Sequence, residues 1–311
     1  AKVTSKNNFD ISVIIPAYCA GKFIHRALDS VLSQTILPNE IIIVDDGSTD
    51  NTLEIIESYS NQSRNVEVIV LSQENKGPGA ARNLGLQRAS SKYIAFLDSD
   101  DEWLPSKLEK SIRFLDEYKY DLVGHNVIMV EGKNERENNI AARYQQAADS
   151  LFFGLYCKGF IGTSTVVVSL SAIKQVGLFD ENLPAGQDFD LWLKIIGNGN
   201  TKLLVFDEYL TKNHIRKSSI TRNIGIRLQC TLRIARRHAP KIRVFGGSSL
   251  RGLIFRITAV HYEAYRGYLS SRELLMALSV VLKYPYNLLI ETVYLIITII
   301  KEGVRKNGVK F

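Results

Sequence analysis

Four short apolar runs alternate with amphipathic segments in the first hundred residues, and this alternation restricts the possible folds more than any other feature. The runs are "ISVIIPAY" (Ile11–Tyr18), "EIIIV" (Glu40–Val44), "VEVIVLS" (Val66–Ser72) and "YIAFLD" (Tyr93–Asp98). They are short and apolar, which predicts four strands, the first two buried on both faces. Between them, Lys22–Gln34 carries Phe23, Ala27, Leu28, Val31 and Leu32 at helical spacing. "TDNTLEIIESYS" opens with helix-capping residues, and "GPGAARNLGLQRAS" (Gly77–Ser90) is a Gly-rich turn leading into a helix. Strand–helix alternation with short links predicts a doubly wound, parallel α/β sheet covered on both faces. Ligands bind such sheets beyond the carboxyl ends of the strands.

Two of those ends are acidic. Asp45-Asp46 closes the second strand, and Asp98, Asp100, Asp101 and Glu102 follow the fourth. Carboxylates crowded on one rim repel one another, and without a counter-charge one of them is driven to protonate. A divalent cation such as Mg²⁺ or Mn²⁺, shared with a substrate diphosphate, would relieve the repulsion. The alternative is a solvated acidic turn that caps the next helix. Beyond Asp101 the pattern predicts a helix over Ser106–Tyr118, a strand over Asp121–Gly132, a polar mobile loop over Lys133–Arg143, a strand over Thr163–Ser169 and a helix opening at Asp188.

Taken in series, Ser12–Tyr18, "IIIVDDGSTDNT", "NKGPGAARNLGL" and "FLDSDDEWLP" resemble the family 2 glycosyltransferases of the GT-A fold, in that family's order and spacing. A fifth block follows at "GQDFDLWLKI", and the match runs from about Ile11 to Ser219. Each block alone is weak. The resemblance implies a mixed, mainly parallel GT-A sheet as a catalytic domain over residues 1–220, and a nucleotide-sugar donor, UDP-linked by family habit. It implies that Pro16, Ala17 and Tyr18 line the base pocket and that Asp46, with Asp45, accepts the uracil N3–H. Gly77, Gly79, Arg82 and Asn83 would approach the nucleotide. Asp98-Ser99-Asp100 matches the family's DxD motif, with Asp100 on Mn²⁺ or Mg²⁺ and Asp98 on the ribose or a metal-bound water. Asp188 would be the general base of an inverting transfer, with Asp190 a weaker alternative. Gln187 stands where the family commonly has Glu, next to the acceptor or sugar. "KNHIRKSSIT" resembles the loop that folds over the diphosphate, making His214 a metal or phosphate ligand and Arg216, Lys217 and Ser218 phosphate contacts. Asp101 and Glu102 read as helix N-terminal charges, and Trp103 as core packing or an acceptor platform.

The net charge of +7 hides an asymmetry: residues 209–311 hold 19 Lys/Arg against 4 Asp/Glu, and residues 1–208 hold 20 against 28. A basic flank on an acidic body points to an anionic partner. Residues 221–311 read as a basic helical region with apolar stretches at Leu274–Leu282 and Leu288–Ile300, separated by Lys283 and Pro285. Neither stretch reaches the roughly 20 residues of a spanning helix. They read as helices lying in an anionic membrane interface, or as an oligomer contact. A lipid-linked, polyprenyl-type glycan acceptor fits that location. Three distant cysteines and a polar first segment suit a cytoplasmic protein peripheral to the inner face of the membrane.

Two other classes are disfavoured. The first strand runs into "PAYCAGKF", without the Gly-x-Gly-x-x-Gly turn of a dinucleotide-binding oxidoreductase. The basic stripe over 209–262 has an electrostatic footprint for nucleic acid, but the chain carries no nucleic-acid module. A catalytically silent nucleotide-sugar-binding or scaffold protein of the same fold remains the alternative to an enzyme.

Overall fold

The computed structural model describes residues 9–62, 65–216 and 223–306. They fall into two compact units: residues 1–145 with 160–216, and residues 146–159 with 217–311.

In the first unit the chain runs β1 (Phe9–Ala17), α1 (Ile24–Leu32), β2 (Pro38–Asp45), α2 (Thr52–Gln62), β3 (Glu67–Ser72), α3 (Pro78–Arg88), β4 (Tyr93–Phe96), β5 (Glu102–Trp103), α4 (Lys107–Asp116), β6 (Leu122–Glu131), β7 (Asn134–Asn138) and α5 (Ile140–Gln146). After α6 (Leu151–Lys158), which belongs to the second unit, come β8 (Val167–Ser169), α7 (Leu170–Val176), α8 (Gln187–Ile196) and β9 (Leu203–His214). The strands form one mixed sheet in the order β3-β2-β1-β4-β8-β6-β9-β5, with β7 paired to β6. Pairing is parallel from β3 through β4, as the strand–helix alternation requires, and antiparallel where β8 joins β4 and β6. Ile11, Val13, Ile15, Ile41, Ile43 and Ala95 are fully buried in the core of this sheet. The helix α3 lies so close to β1 that a Cβ at Gly85 would meet Ile14 Cγ2 at 2.7 Å, which explains a glycine in a helix interior.

A buried carboxylate joins β1, β2 and the end of α3. Glu40, 2% exposed, accepts hydrogen bonds at Oε1 from Ser12 Oγ (2.6 Å), Ser90 N (2.8 Å) and Ser90 Oγ (2.9 Å). Burial works to raise its pKa, but these bonds outweigh it, and the pKa lies below the ordinary carboxylate value.

Three sequence expectations change here. The polar stretch 133–143 is an ordered hairpin strand, β7, turned at Gly132 (φ 64°) and followed by the start of α5. Asp101 and Glu102 are not helix N-terminal charges: α4 begins at Lys107, Asp101 is 1% exposed, and Glu102 lies in β5 against β9. Trp103 is core, not an acceptor platform; it is 3% exposed, and its Nε1–H donates to Ser164 O at 2.7 Å.

The second unit consists of α6, α9 (Ile224–His238), α10 (Ser249–Ser270) and α11 (Leu274–Lys306), with a 3-10 turn over Ala239–Phe245. Tyr156 Oη donates to Ala235 O (3.0 Å), and Arg256 Nη1 donates to Cys157 O (3.0 Å), which ties α6 to α9 and α10. The expected break at Lys283 and Pro285 does not occur. The helix α11 is continuous for 33 residues with Pro285 inside it, and its segment Leu274–Glu302 is long and apolar enough to cross a membrane.

Replacing Glu40 with Ala removes the acceptor of three hydrogen bonds and should cost about 2–3 kcal/mol. It should show as a lower urea midpoint at unchanged slope. Because the folded-state pKa is depressed, the contribution is present at neutral pH and lost as pH falls through the folded value. The variant's stability should therefore fall less steeply with acid than that of the parent.

Candidate active site

The carboxyl ends of β1, β2 and β4 meet on one rim. Asp46 N–H donates to Ala17 O (2.8 Å), and Leu97 N–H donates to Ile14 O (3.1 Å), so the loops after β1, β2 and β4 leave side by side. Tyr18, the first residue past β1, is half exposed. Asp45 and Asp46 are both buried, but they do different things. Asp46 accepts from Gln73 Nε2 (2.7 Å), Lys76 N (2.9 Å) and Gly77 N (2.8 Å), so its carboxylate holds the loop that leads into α3. Asp45 accepts at Oδ2 from Ser48 N (3.3 Å), and its buried Oδ1 has no partner. A buried, unpaired carboxylate oxygen is costly unless a ligand supplies the donor.

After β4, the turn Asp98-Ser99-Asp100-Asp101 is held by cations on three sides. Arg82 of α3, itself buried, donates from Nη2 to Asp98 Oδ1 (2.6 Å). Arg26 of α1 donates from Nη2 to Asp100 O (2.6 Å), and Arg216 forms an ion pair with Asp100 Oδ2 while lying over the Phe23 ring (4.6 Å). The Asp100 carboxyl is pushed above the usual carboxylate range by burial and by the Asp98 charge, with Arg216 pulling the other way. Asp101 is pushed further up by burial and both neighbouring charges. It is held by Ser164 Oγ (2.6 Å), Asn213 Nδ2 (3.1 Å) and His214 N (3.2 Å).

Two consecutive residues connect this turn to α8. Ser164 accepts at Oγ from Asp98 N (3.1 Å) while donating to Asp101, and Thr163 Oγ1 donates to Asp188 Oδ2 (2.8 Å). Asp188 is half-buried in the first turn of α8, beside Gln187, whose buried Oε1 has no partner. A Cβ at Gly79 would sit 3.5 Å from Gln187 Cγ, so the starts of α3 and α8 adjoin. Fixed cations, a half-buried acidic turn, an unpaired buried acceptor and a separately held carboxylate together suit an anionic ligand that also donates a hydrogen bond.

The sequence matches the profile described as glycosyl transferase family 2 over residues 12–173 and that of glycosyl transferase family group 2 over residues 93–300. The glycosyltransferase TuaG of Bacillus subtilis, whose name assigns it to teichuronic acid biosynthesis, is 33% identical over 216 residues, covering 68% of this chain and 82% of its own. The chain belongs to glycosyltransferase family 2. WfaP of Escherichia coli, named as a UDP-Glc:alpha-D-GlcNAc-diphosphoundecaprenol beta-1,3-glucosyltransferase, is 32% identical over 237 residues, covering 70% of this transferase and 87% of itself. Matching glycosyltransferases from Rickettsia are longer, and the chain spans 29% of the one from Rickettsia bellii. Among solved structures, Staphylococcus aureus TarS 1-349 in complex with UDP-GlcNAc superposes with a TM-score of 0.61 at 24% identity, over 84% of this chain and 72% of that one. The Pyrobaculum calidifontis mannosyltransferase in complex with GDP-Man and Mn²⁺ gives 0.61 at 16% identity, over 94% and 87%. The fold of this transferase is therefore GT-A.

The structure brings Pro16, Ala17, Tyr18, Asp45, Asp46, Arg82, Asp98, Ser99, Asp100 and Arg216 to one rim, and Thr163 and Ser164 link Asp188 to it. Asn83 is committed elsewhere: its amide bonds to Phe179 N and O (both 3.0 Å) and Glu181 Oε1 (2.8 Å), fixing the loop before α8. Asp190 is fully buried in an ion pair with Lys194 (2.8 Å). His214 closes β9 with its Nε2 3.3 Å from Glu102 Oε1, and its pKa is lowered by burial and by Arg26. No group of three His, Cys, Asp or Glu side chains is arranged to hold a metal among the described residues. Lys217 and Ser218 lie outside the described residues. Sequence reasoning missed Arg26, Thr163 and Ser164; none lies in a motif block, and only contacts made across the fold single them out.

The donor set does fit a hard divalent cation. Asp98 and Asp100 supply carboxylate oxygens that are partly exposed, and burial together with the Asp98 charge raises the Asp100 pKa. Such a cation takes few protein carboxylates when phosphates fill the rest of its shell.

Replacing Ser164 with Ala leaves a buried Asp101 oxygen short of its shortest hydrogen bond and frees Asp98 N. The variant should lose about 1–3 kcal/mol of stability. Amide exchange should quicken in the Asp98–Trp103 segment ahead of the rest of the sheet.

Proposed function

We propose that this transferase moves a sugar from a UDP-sugar, with Mn²⁺ or Mg²⁺, to a hydroxyl of a lipid-linked glycan acceptor, with inversion, in cell-surface glycan assembly at the cytoplasmic face of the membrane. The observation that carries the reading is the Thr163–Ser164 bridge. One residue holds the acidic turn where a diphosphate and its cation would sit, and the next holds Asp188. Surface-glycan assembly and a diphosphoundecaprenol acceptor rest on the names of TuaG and WfaP, and a UDP-linked donor on those of WfaP and the TarS complex.

Asp45 offers its unpaired Oδ1 to the imide N–H of a uracil, with Tyr18 at the pocket edge. Asp46 is a positioning residue here, since the bonds of its carboxylate go to the loop before α3. Asp100, with Asp98, would hold the cation, whose charge would stabilise the departing diphosphate. Arg82 and Arg216, already aimed at this turn, supply fixed positive charge to the phosphates. His214 lies against Glu102 at the base of the same turn and steadies it. Asp188 takes the proton from the acceptor hydroxyl as its oxygen attacks the anomeric carbon. Thr163 fixes one Asp188 oxygen and so aims the other. Gln187 leaves a buried acceptor for a sugar hydroxyl where the family commonly has a carboxylate.

Turnover of radiolabelled UDP-sugars on a diphosphoundecaprenol-linked acceptor tests the reading. Asp188→Asn should lower kcat by about 10²–10⁴ while UDP affinity stays within about twofold. A variant that turns over at the parent rate would remove Asp188 from the chemistry. Asp45→Asn, which swaps the acceptor facing the base, should weaken UDP binding by about 10- to 100-fold. It should leave binding of a non-imide nucleotide such as CDP unchanged.

A further inference from the structure

Helix α11 carries its apolar side chains on the wrong side for a soluble protein. Leu275, Leu282, Leu289, Val293, Ile296 and Ile300 form one row, and each is about half exposed or more. At 100° per residue they share one narrow face. The opposite face, toward α9 and α10, holds Ala277 and Val280 but also Tyr284, Asn287, Glu291 and Glu302. These are paired with α10 Thr258 (2.9 Å), α10 His261 (3.0 Å), α9 Arg236 (2.6 and 2.5 Å) and Arg243 of the 3-10 turn. Glu291, the one acid in the apolar stretch, is thus turned inward and 4% exposed. Lys283 and Lys301, both exposed, are 18 positions apart, about five helical turns, and so line the same flank of the apolar row.

We propose that α11 seats the protein on an anionic lipid bilayer as an in-plane interfacial helix. Its apolar row would enter the acyl boundary, with Lys283 and Lys301 at the headgroups. The helix is long enough to span, but its inner face is tied along its length to Arg236, Arg243 and His261. A spanning α11 would draw those polar partners into hydrocarbon or break every one of the pairs. Lying flat keeps them, and it presents about 37 Å of apolar row to the bilayer. The charge agrees: residues 217–311 carry 17 Lys/Arg against 4 Asp/Glu. This deepens the lipid-linked acceptor reading by naming the surface that meets the membrane, yet it holds for vesicles containing no acceptor.

The test is co-sedimentation of the full chain with vesicles of phosphatidylcholine alone or with one-quarter phosphatidylglycerol. The parent should pellet with the anionic vesicles. Leu282→Glu with Leu289→Glu should weaken this at least tenfold without changing the melting temperature, since both positions are exposed. Lys283→Glu with Lys301→Glu should abolish the preference for anionic lipid. A peptide tag fused after Phe311 should remain open to protease added outside the vesicles. A protected tag would show a spanning helix and overturn the in-plane arrangement. Failure to pellet, or pelleting untouched by the Glu pair, would overturn the proposal. So would a dimer that the Glu pair dissociates in the absence of vesicle binding, because a second copy would then cover the row. Loss of glycosyltransfer with intact vesicle binding would count against the donor and acceptor reading alone.

Discussion

Crowded negative charge at the ends of β2 and β4 is the constraint on which the rest of the site depends. Asp98, Asp100 and Asp101 follow β4 within five residues, and left alone they would repel one another in a half-buried turn. The fold answers with arginines from three separate segments: Arg26 from α1, Arg82 from α3 and Arg216 after β9. Each cation reaches the turn because a strand end delivers the acids and a helix start or loop end delivers the base. On the proposed reading, a cluster in which fixed cations and anions interleave would exchange one partner for a phosphate or a divalent cation.

The buried members of the cluster act as its frame. Asp101 faces away from solvent and joins β9, through Asn213 and His214, to the turn after β4. Ser164 completes that frame, and Thr163 extends it to α8. Rigid placement of a proton acceptor relative to a charged leaving group is what sugar transfer needs, because the reacting atoms must be aligned before the bond breaks. Asp46 and Asn83 serve in the same way on the other side, holding the loops around α3.

Much of this was legible from residue order. Buried parallel strands announce themselves as unbroken apolar runs, so β1, β2 and β4 and their acidic ends could be read directly. Features that depend on distant segments could not. Nothing local marks Asp101 as buried rather than capping a helix, since its neighbours are equally acidic. Thr163, Ser164 and Arg26 gain their meaning only when the 3-10 turn before β8, α1 and the turn after β4 converge. The β6–β7 hairpin was hidden because β7 is polar on both faces, although Gly132 sits where the turn needs positive φ. Pro285 reads as a helix end, yet α11 passes through it; the packing of the long helix against α9 and α10 outweighs one missing backbone hydrogen bond.

On the proposed reading, the acidic turn after β4 would hold a nucleotide diphosphate through a divalent cation. Calorimetric titration of UDP into the protein, with and without Mn²⁺, for the parent and for Asp100→Ala, addresses it most directly. Binding should be strong only with the metal present, and the substitution should weaken it to the metal-free level. Equal binding in all four titrations, or none in any, would contradict that reading, and the turn would then be a structural feature held by its arginines.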